Sequence, residues 1–312
     1  MRRLLLYISL TMVAMLCATS CGSDAARKLE TASRLVGERP DSAYLILRNI
    51  DYYDLGTDSL RAKYVYTRAI ANVRVGRSLI TDTLLNDAAS YYISVGDTAK
   101  WIVSMQLLSG YDLFRGNTEE AIDRLETIKS TTVNPGLLWD TYIHLLDASI
   151  RGQYYPEAHG YADWLLRHTD RPEQILKFST AKAATQYWQG NHKRAVEIMD
   201  SVIGTGIVEK VDEGVAKEFY SEYAEFLDGN GQSPEAIAVL NRIHPEGVQG
   251  NDADKIYRKL SMAQYHANSG HPEMAKAMLD GINLDGTQSY FEMYSAIAML
   301  RAALDYKLTG KF

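Results

Sequence analysis

The sequence predicts an all-α protein: a right-handed α-solenoid of about seven helical hairpins followed by a C-terminal capping helix. A triplet recurs seven times, in which an alanine is followed four residues later by a space-filling side chain and, three residues after that, by a branched aliphatic one. This spacing places all three side chains on one helical face. The repeat alanines lie 33 to 45 residues apart, a period typical of stacked helical hairpins rather than one globular core. They are Ala43, Ala88, Ala121, Ala158, Ala195, Ala236 and Ala275.

Glycines and prolines support the same period. In four copies a glycine lies five residues before the repeat alanine, where it can end one helix in the left-handed conformation. Asn117 and Ser233 are expected to cap the helices that follow. The fourth copy departs from the pattern, with one extra residue between Gly152 and Ala158. All 7 prolines fall at helix starts or between helices, where they break no hydrogen bond. The four glycines are Gly116, Gly190, Gly231 and Gly270.

These markers place each element in order, and no alternation of apolar and polar residues predicts a strand. The first helices of the hairpins are predicted at 25–36, 58–75, 98–115, 136–151, 172–189, 211–228 and 252–268. The second helices are predicted at 41–50, 81–95, 118–130, 155–168, 192–203, 234–243 and 272–282. A last helix at 288–308 has one apolar and one polar side, as a cap requires. The connection 204–214 is expected to be irregular and the most flexible.

The N-terminus has the features of an export signal. Two arginines precede an apolar run, Leu4–Leu16, which is too short to span a bilayer comfortably. Ala18-Thr19-Ser20 before Cys21 resembles the lipobox of bacterial lipoproteins. The resemblance implies that residues 1–20 are removed and that Cys21 is lipidated, with an ordinary secretory signal as the alternative. We expect an outer-membrane lipoprotein of the cell envelope, on the periplasmic or the surface face, with residues 21–312 as a single domain.

The repeat residues resemble those of a known family. Glycine, alanine five residues later, then a large and a small or branched residue, is similar to the tetratricopeptide repeat (TPR), although the period here exceeds the usual 34. The segment 39–47, with Tyr91-Tyr92 and Gly96-Asp97, looks like the N-terminal part of TPR lipoproteins and membrane-bound regulators of Bacteroidales. Those regulators continue into a membrane helix and a DNA-binding domain, and this sequence shows neither. We expect either a terminal cap at 288–308 or a shortened relative.

Composition and motifs argue against catalysis. The net charge of −6 and the absence of a basic stripe do not suggest nucleic-acid binding. No HExxH, paired CxxC, GxSxG or P-loop motif occurs. The seven histidines are scattered along the chain. We therefore expect no enzyme activity, no cofactor and no metal.

The predicted helix 211–228 is the most patterned segment. Phe219, Tyr223 and Phe226 form one stripe, which is predicted to pack in the core. A second stripe holds Glu218, Glu222 and Glu225. It is predicted to be a solvated face, with a contact for a basic partner as the alternative.

The TPR resemblance implies that the first helices line a concave channel for a peptide or partner helix. Of the residues placed there, Tyr187 and Trp188 are the best anchors, because aromatic residues dominate interface hot spots. The alternative for Trp188 is packing between hairpins. The expected groove residues are Gln106, Phe114, Thr180, Tyr187, Trp188, Ser221, Glu225, Tyr257 and Gln264.

The expected function is therefore a non-catalytic, lipid-anchored adaptor that binds an envelope protein or peptide in this groove. The alternative is a ligand-sensing or carbohydrate-binding module coupled to a separate signalling or uptake protein.

Overall fold

A computed structural model of the protein describes residues 24–77, 84–245, 253–282 and 291–309. These ranges hold fifteen α-helices, two 3₁₀ turns (Tyr52–Asp54 and Ile207–Lys210) and no strand, so the all-α prediction is confirmed. The predicted signal peptide and Cys21 lie outside the described residues. The helices are α1 (24–35), α2 (Pro40–Leu47), α3 (Asp58–Arg74), α4 (Leu85–Ser94), α5 (Thr98–Phe114), α6 (Thr118–Thr131), α7 (Pro135–Arg151), α8 (Tyr155–Arg167), α9 (Pro172–Trp188), α10 (His192–Ile203), α11 (Glu213–Gly229), α12 (Ser233–Ile243), α13 (Ala253–Asn268), α14 (Pro272–Asp280) and α15 (Phe291–Thr309).

The repeat alanines occupy the tightest positions of the core. All seven are buried, with at most 1% of their surface exposed. Each lies in the second helix of a hairpin and faces the helices packed against it. A methyl group is therefore all that these sites hold, which is why alanine marks the period so clearly.

The turns within the hairpins follow one backbone design. Gly116, Gly190, Gly231 and Gly270 all have positive φ, between 79° and 87°. The amide after each glycine donates to a carbonyl five residues back, as in Asn191 N to Gln186 O at 2.9 Å. These are Schellman motifs, which satisfy the last carbonyls of the preceding helix.

The fourth copy keeps this spacing, contrary to the sequence expectation. Gly152 has φ −80°, within the right-handed region, and Gln153 takes the left-handed conformation with φ 61°. Gln153 lies five residues before Ala158, where the other copies have glycine. No residue is inserted; a glutamine occupies the glycine position.

Of the two expected N-caps, Asn117 occupies the predicted position without its capping hydrogen bond, and Ser233 is wrong. The Asn117 side chain makes no capping hydrogen bond. Ser233 is the first residue of α12 rather than its cap, and its hydroxyl donates to Asp228 Oδ1 at 2.6 Å. The Schellman turn already sets the backbone conformation at the start of each second helix, so a capping side chain is not needed there.

The chain divides into two compact units, up to Gln153 and from Tyr154 onward. The core of the first unit includes Leu47, Val65 and Leu85. The expectation of a single domain over 21–312 remains a prediction.

The second unit has two clusters of buried apolar side chains. Phe226 belongs to one, while Ile297 and Leu304 of α15 belong to the other. The last helix thus has a buried side, as predicted for a cap.

The connection 204–214 is more ordered than expected. It contains the 3₁₀ turn Ile207–Lys210, and Val208 is 5% exposed in the core formed with α9 and α10. The sequence suggested flexibility because the segment lacks helical periodicity, but its apolar residues pack inward.

Candidate functional site

In the second unit, the first helices of successive hairpins lie side by side. α9 contacts α11, and α11 contacts α13, while α10, α12 and α14 pack behind their own partners. Residues spaced by three or four along the three helices form one surface, which we call the unit-2 face. By this spacing we assign to it Thr180, Tyr187 and Trp188 on α9, Glu218, Ser221, Glu222 and Glu225 on α11, and Tyr257, Ser261 and Gln264 on α13.

Glu225 lies at the centre of this face. The hydroxyl of Tyr257 donates to Glu225 Oε2 at 3.4 Å, a long hydrogen bond. Burial raises the pKa of the Glu225 carboxyl; the Tyr257 hydrogen bond opposes this rise, and the Asp228 carboxylate adds to it. Glu225 also acts on Tyr187 of α9, since burial and then the charge of Glu225 raise the pKa of that phenol. The carboxylate is therefore set between tyrosines of both neighbouring helices.

Glu222 is exposed, one turn earlier on α11. Burial, followed by repulsion from Glu225 and Glu218, raises its pKa. Because the side chain still reaches solvent, the surrounding protein weakens its hydration without excluding water. The face thus carries a row of carboxylates in which neighbouring charges disfavour the ionised forms of Glu222 and Glu225.

Asp228, at the end of the same row, is structural. Its carboxylate accepts from Ser233 Oγ at 2.6 Å and from Asn268 Nδ2 at 3.1 and 2.9 Å. These bonds join α11 to α12 and α13. Neither Asp228 nor Asn268 was singled out from the sequence, because their partners come from other hairpins.

Aromatic side chains flank the carboxylates. Tyr187 packs tightly: its ring lies over Gly229, where an added Cβ would meet Tyr187 Cε2 at 2.3 Å. Its ring centroid is 5.2 Å from that of Phe226. Trp188 is 48% exposed and 5.7 Å from the ring of Tyr155, and Tyr257 is 52% exposed. One part of the Trp188 indole is therefore packed and the rest is open, and its role as a groove anchor stays a prediction.

Gln106 is not a ligand-facing residue, contrary to the prediction. It is 7% exposed, and its amide donates to Thr141 Oγ1 at 3.1 Å and towards Leu137 O at 3.4 Å. It links α5 to α7 inside the first unit. The prediction assumed that every residue at this helical position is open, but the neighbouring first helix covers it.

The other predicted groove residues differ in how open they are. Phe114 is 63% exposed and belongs to the first unit. Thr180, Ser221 and Gln264 are partly buried on the unit-2 face. Ser221 Oγ donates to Lys217 O at 2.8 Å, and Gln264 Nε2 donates to Asn268 Oδ1 at 2.9 Å. These polar groups already have protein partners.

The aromatic stripe of α11 packs as predicted. Phe219 and Phe226 are 3% and 2% exposed in the core of the second unit. Tyr223 is partly buried against the same core and donates its hydroxyl hydrogen bond to Asp200 of α10. The stripe therefore fixes α11, and with it the orientation of the acidic row.

The described part of the chain shows neither a metal-ligand cluster nor a membrane-spanning helix. There, no three His, Cys, Asp or Glu side chains come together as metal ligands would. None of the helices described has the length and apolar character needed to cross a bilayer.

Comparison with known proteins shows which solved structures have a similar fold. No protein-family model and no curated protein matches the sequence. Among solved structures, a tetratricopeptide repeat protein from Parabacteroides merdae ATCC 43184 is 15% identical, with a TM-score of 0.58 over 90% of this chain and 99% of that one. The apo quorum sensor NprR from B. thuringiensis is 12% identical, with a TM-score of 0.61 over 92% and 82%. A Rap protein complexed with competence and sporulation factor is 13% identical, with a TM-score of 0.57 over 93% and 84%.

These identities establish the fold alone. Together with the repeat geometry, they define the chain as a helical-repeat α-solenoid of the TPR type.

Proposed function

We propose that this protein is a non-catalytic, lipid-anchored adaptor of the cell envelope, and that its unit-2 face binds a segment of another protein. The observation that carries the proposal is two half-exposed aromatic side chains in the second unit, Trp188 at the end of α9 and Tyr257 on α13. Large aromatic side chains on an otherwise polar surface are typical of binding hot spots. The comparison with a Rap protein bound to competence and sporulation factor supports a peptide or protein ligand for this fold.

Site-specific crosslinking in cells tests the binding face. A photo-reactive phenylalanine analogue is introduced at Trp188 or Tyr257, and at Lys193 as the control. Lys193 lies on α10, outside the face, with an 84% exposed side chain. The proposal predicts one protein crosslinked from 188 and 257 and not from 193. Equal capture from all three positions, or capture from none, would contradict it.

The lipid anchor rests on Cys21 and is tested separately. The full-length chain and its Cys21→Ala variant are expressed in the native host, and membrane and soluble fractions are compared after labelling with a radioactive fatty acid. We expect label and membrane sedimentation for the unaltered chain alone. A labelled or membrane-bound Cys21→Ala variant would reject lipidation at this residue.

A cavity in the first unit supports the alternative function as a small-ligand module. It has a volume of about 410 Å³, within the range of ligand sites, and lies between α3 and α4. Tyr52, Arg61, Asp87 and Tyr91 are among its lining residues. Thermal denaturation with a glycan panel distinguishes the two functions. A sugar that binds the folded state raises Tm, and Arg61→Ala should abolish that shift.

A further inference from the structure

In the described part of the chain, the charged groups that act on the centre of the acidic row are all carboxylates. The charged groups that act on Glu222 are Glu225 and Glu218, and the one that acts on Glu225 is Asp228. Asp228 is satisfied by Ser233 and Asn268, so its hydrogen bonds are already made. Negative charge therefore accumulates at Glu222 and Glu225.

One lysine of α9 and one of α11 form ion pairs outside the row. Lys182 pairs with Asp163 of α8 at 2.5 Å, and Lys217 pairs with Glu213 at 2.6 Å. These ion pairs hold their ammonium groups with other acids. Neither Lys182 nor Lys217 therefore neutralises the row.

The aromatic side chains provide a second, independent feature. Tyr257 and Trp188 are about half exposed, and Tyr257 donates to Glu225. Aromatic rings attract cations through their negative faces, most strongly where water is partly displaced. Tyrosine rings beside a partly buried carboxylate are a suitable receptor for an ammonium or guanidinium group.

We propose that the unit-2 face binds a cationic segment of its partner protein, with a lysine or arginine side chain entering between Tyr187 and Tyr257 to pair with Glu225 and Glu222. This inference rests on the proposed function and names the chemistry of its partner. Charge complementarity favours a cationic segment. An acidic segment would be repelled by the carboxylates of the row, and a neutral segment would leave those carboxylates without a cationic partner.

Peptide binding by the full-length chain, purified in mild detergent, tests the inference. The probes are three fluorescent 15-residue peptides that have Lys, Gln or Glu at every third position and are otherwise identical. Fluorescence anisotropy should give a Kd at least about tenfold lower for the Lys peptide than for the Gln peptide, as for charge-assisted pairs. Affinity should also fall as salt is raised.

Glutamine variants keep the shape and remove the charge. Glu222→Gln and Glu225→Gln should each weaken binding of the Lys peptide by about five- to tenfold. Glu235→Gln is the matched control, because Glu235 is exposed in the first turn of α12, outside the face. Equal weakening by Glu235→Gln would show general charge attraction and overturn the inference.

Failure of the inference can be distinguished from failure of the proposed function. If the Gln peptide binds as tightly as the Lys peptide and the Glu222 variant binds normally, the cationic-partner inference is rejected. The proposed function would still stand if position 188 crosslinks a protein in cells. A weakened Glu222→Gln variant with an unchanged or higher Tm excludes misfolding as the cause.

Discussion

At the scale of single residues, the unit-2 face brings like charges together at a cost to the fold. Glu222 has a raised pKa because burial and two neighbouring carboxylates disfavour its ionised form. A carboxyl of this kind is most favourable to folding while protonated. The contribution of Glu222 to the stability of the folded state is present at low pH and is lost as the pH rises through its raised pKa.

The expected pH dependence of the Tm of Glu222→Gln follows from the direction of this pKa shift. Below a pH of about 4.5, which is the ordinary pKa of a glutamate side chain, the variant should have the same Tm as the unaltered protein. By pH 7 it should have the higher Tm, because it removes repulsion with Glu218 and Glu225. Tyr187 and Tyr257, which face the row from α9 and α13, remain neutral throughout, since both have raised pKa values. Thermal denaturation monitored by circular dichroism checks this, and a Tm lower at pH 7 would contradict it.

Gln153 is a second residue held in an unfavourable state. Its φ of 61° places a side chain in the left-handed region, which costs non-glycine residues about 1–2 kcal/mol. Gln153→Gly should stabilise the protein by about 0.5–1 kcal/mol, since the greater freedom of unfolded glycine offsets part of the gain. Urea denaturation measures the change.

The reverse substitution at an equivalent turn is the control. Gly190 has φ 81° at the same position of its hairpin, and Gly190→Ala should destabilise the protein by about 1–2 kcal/mol. A Gln153→Gly variant less stable than the unaltered chain would show that the glutamine makes a compensating interaction.

At the scale of helices, the contact between α9 and α11 depends on a missing side chain. Gly229→Ala would place a methyl group 2.3 Å from Tyr187 Cε2, so the ring must move. In Gly160→Ala, by contrast, the new methyl group meets nothing within 4 Å on the exposed side of α8. Helix propensity alone predicts a gain of about 0.5–1 kcal/mol for both variants. We expect Gly160→Ala to have this gain in stability and Gly229→Ala to be less stable than the unaltered protein.

Two measurements distinguish these variants. Urea denaturation gives the stabilities. The environment of the neighbouring Trp188 is reported by the difference in fluorescence between the full-length chain and its Trp188→Phe variant, which keeps the other three tryptophans. A Gly229→Ala variant that is stabilised as much as Gly160→Ala would mean that Tyr187 moves aside freely.

The sequence predicted the helices well because hairpin packing is local. The triplet and the glycine turn lie within one hairpin, so α3 to α12 appear close to their expected positions. The site was predicted less well, because its contacts join different hairpins. Gln106 at the α5–α7 contact was misplaced, and Asp228 was missed, for this reason. The Glu222–Glu225 row was visible as a stripe, but its electrostatic strain depends on the helices beside it.

At the scale of the whole molecule, helical-repeat proteins gain stability mainly between neighbours. Ala121, in the second helix of its hairpin, is 0% exposed. Ala121→Leu should destabilise the first unit by about 1–3 kcal/mol through overpacking. Hydrogen exchange should show faster opening of α5 to α7, while the protection of α11 and α13 changes little.

The corresponding change in the second unit is Ala275→Leu, at another fully buried repeat alanine. It should accelerate exchange in α13 and α14 and spare α5 to α7. Uniform acceleration along the chain by either variant would show that the whole protein opens as one cooperative unit.

The Tyr187–Gly229 contact also limits how the hairpins can be rearranged. Gly229 lies seven residues before a repeat alanine, and the same position holds Trp188 in the preceding hairpin and Phe114 three hairpins before that of Gly229. Suppose that a duplicated or transplanted hairpin followed α9 and carried either aromatic residue at the position of Gly229. That side chain would clash with the ring of Tyr187, which now packs against the glycine. These hairpins are alike in backbone yet not interchangeable, because only a hairpin with glycine at this position accommodates the ring of Tyr187.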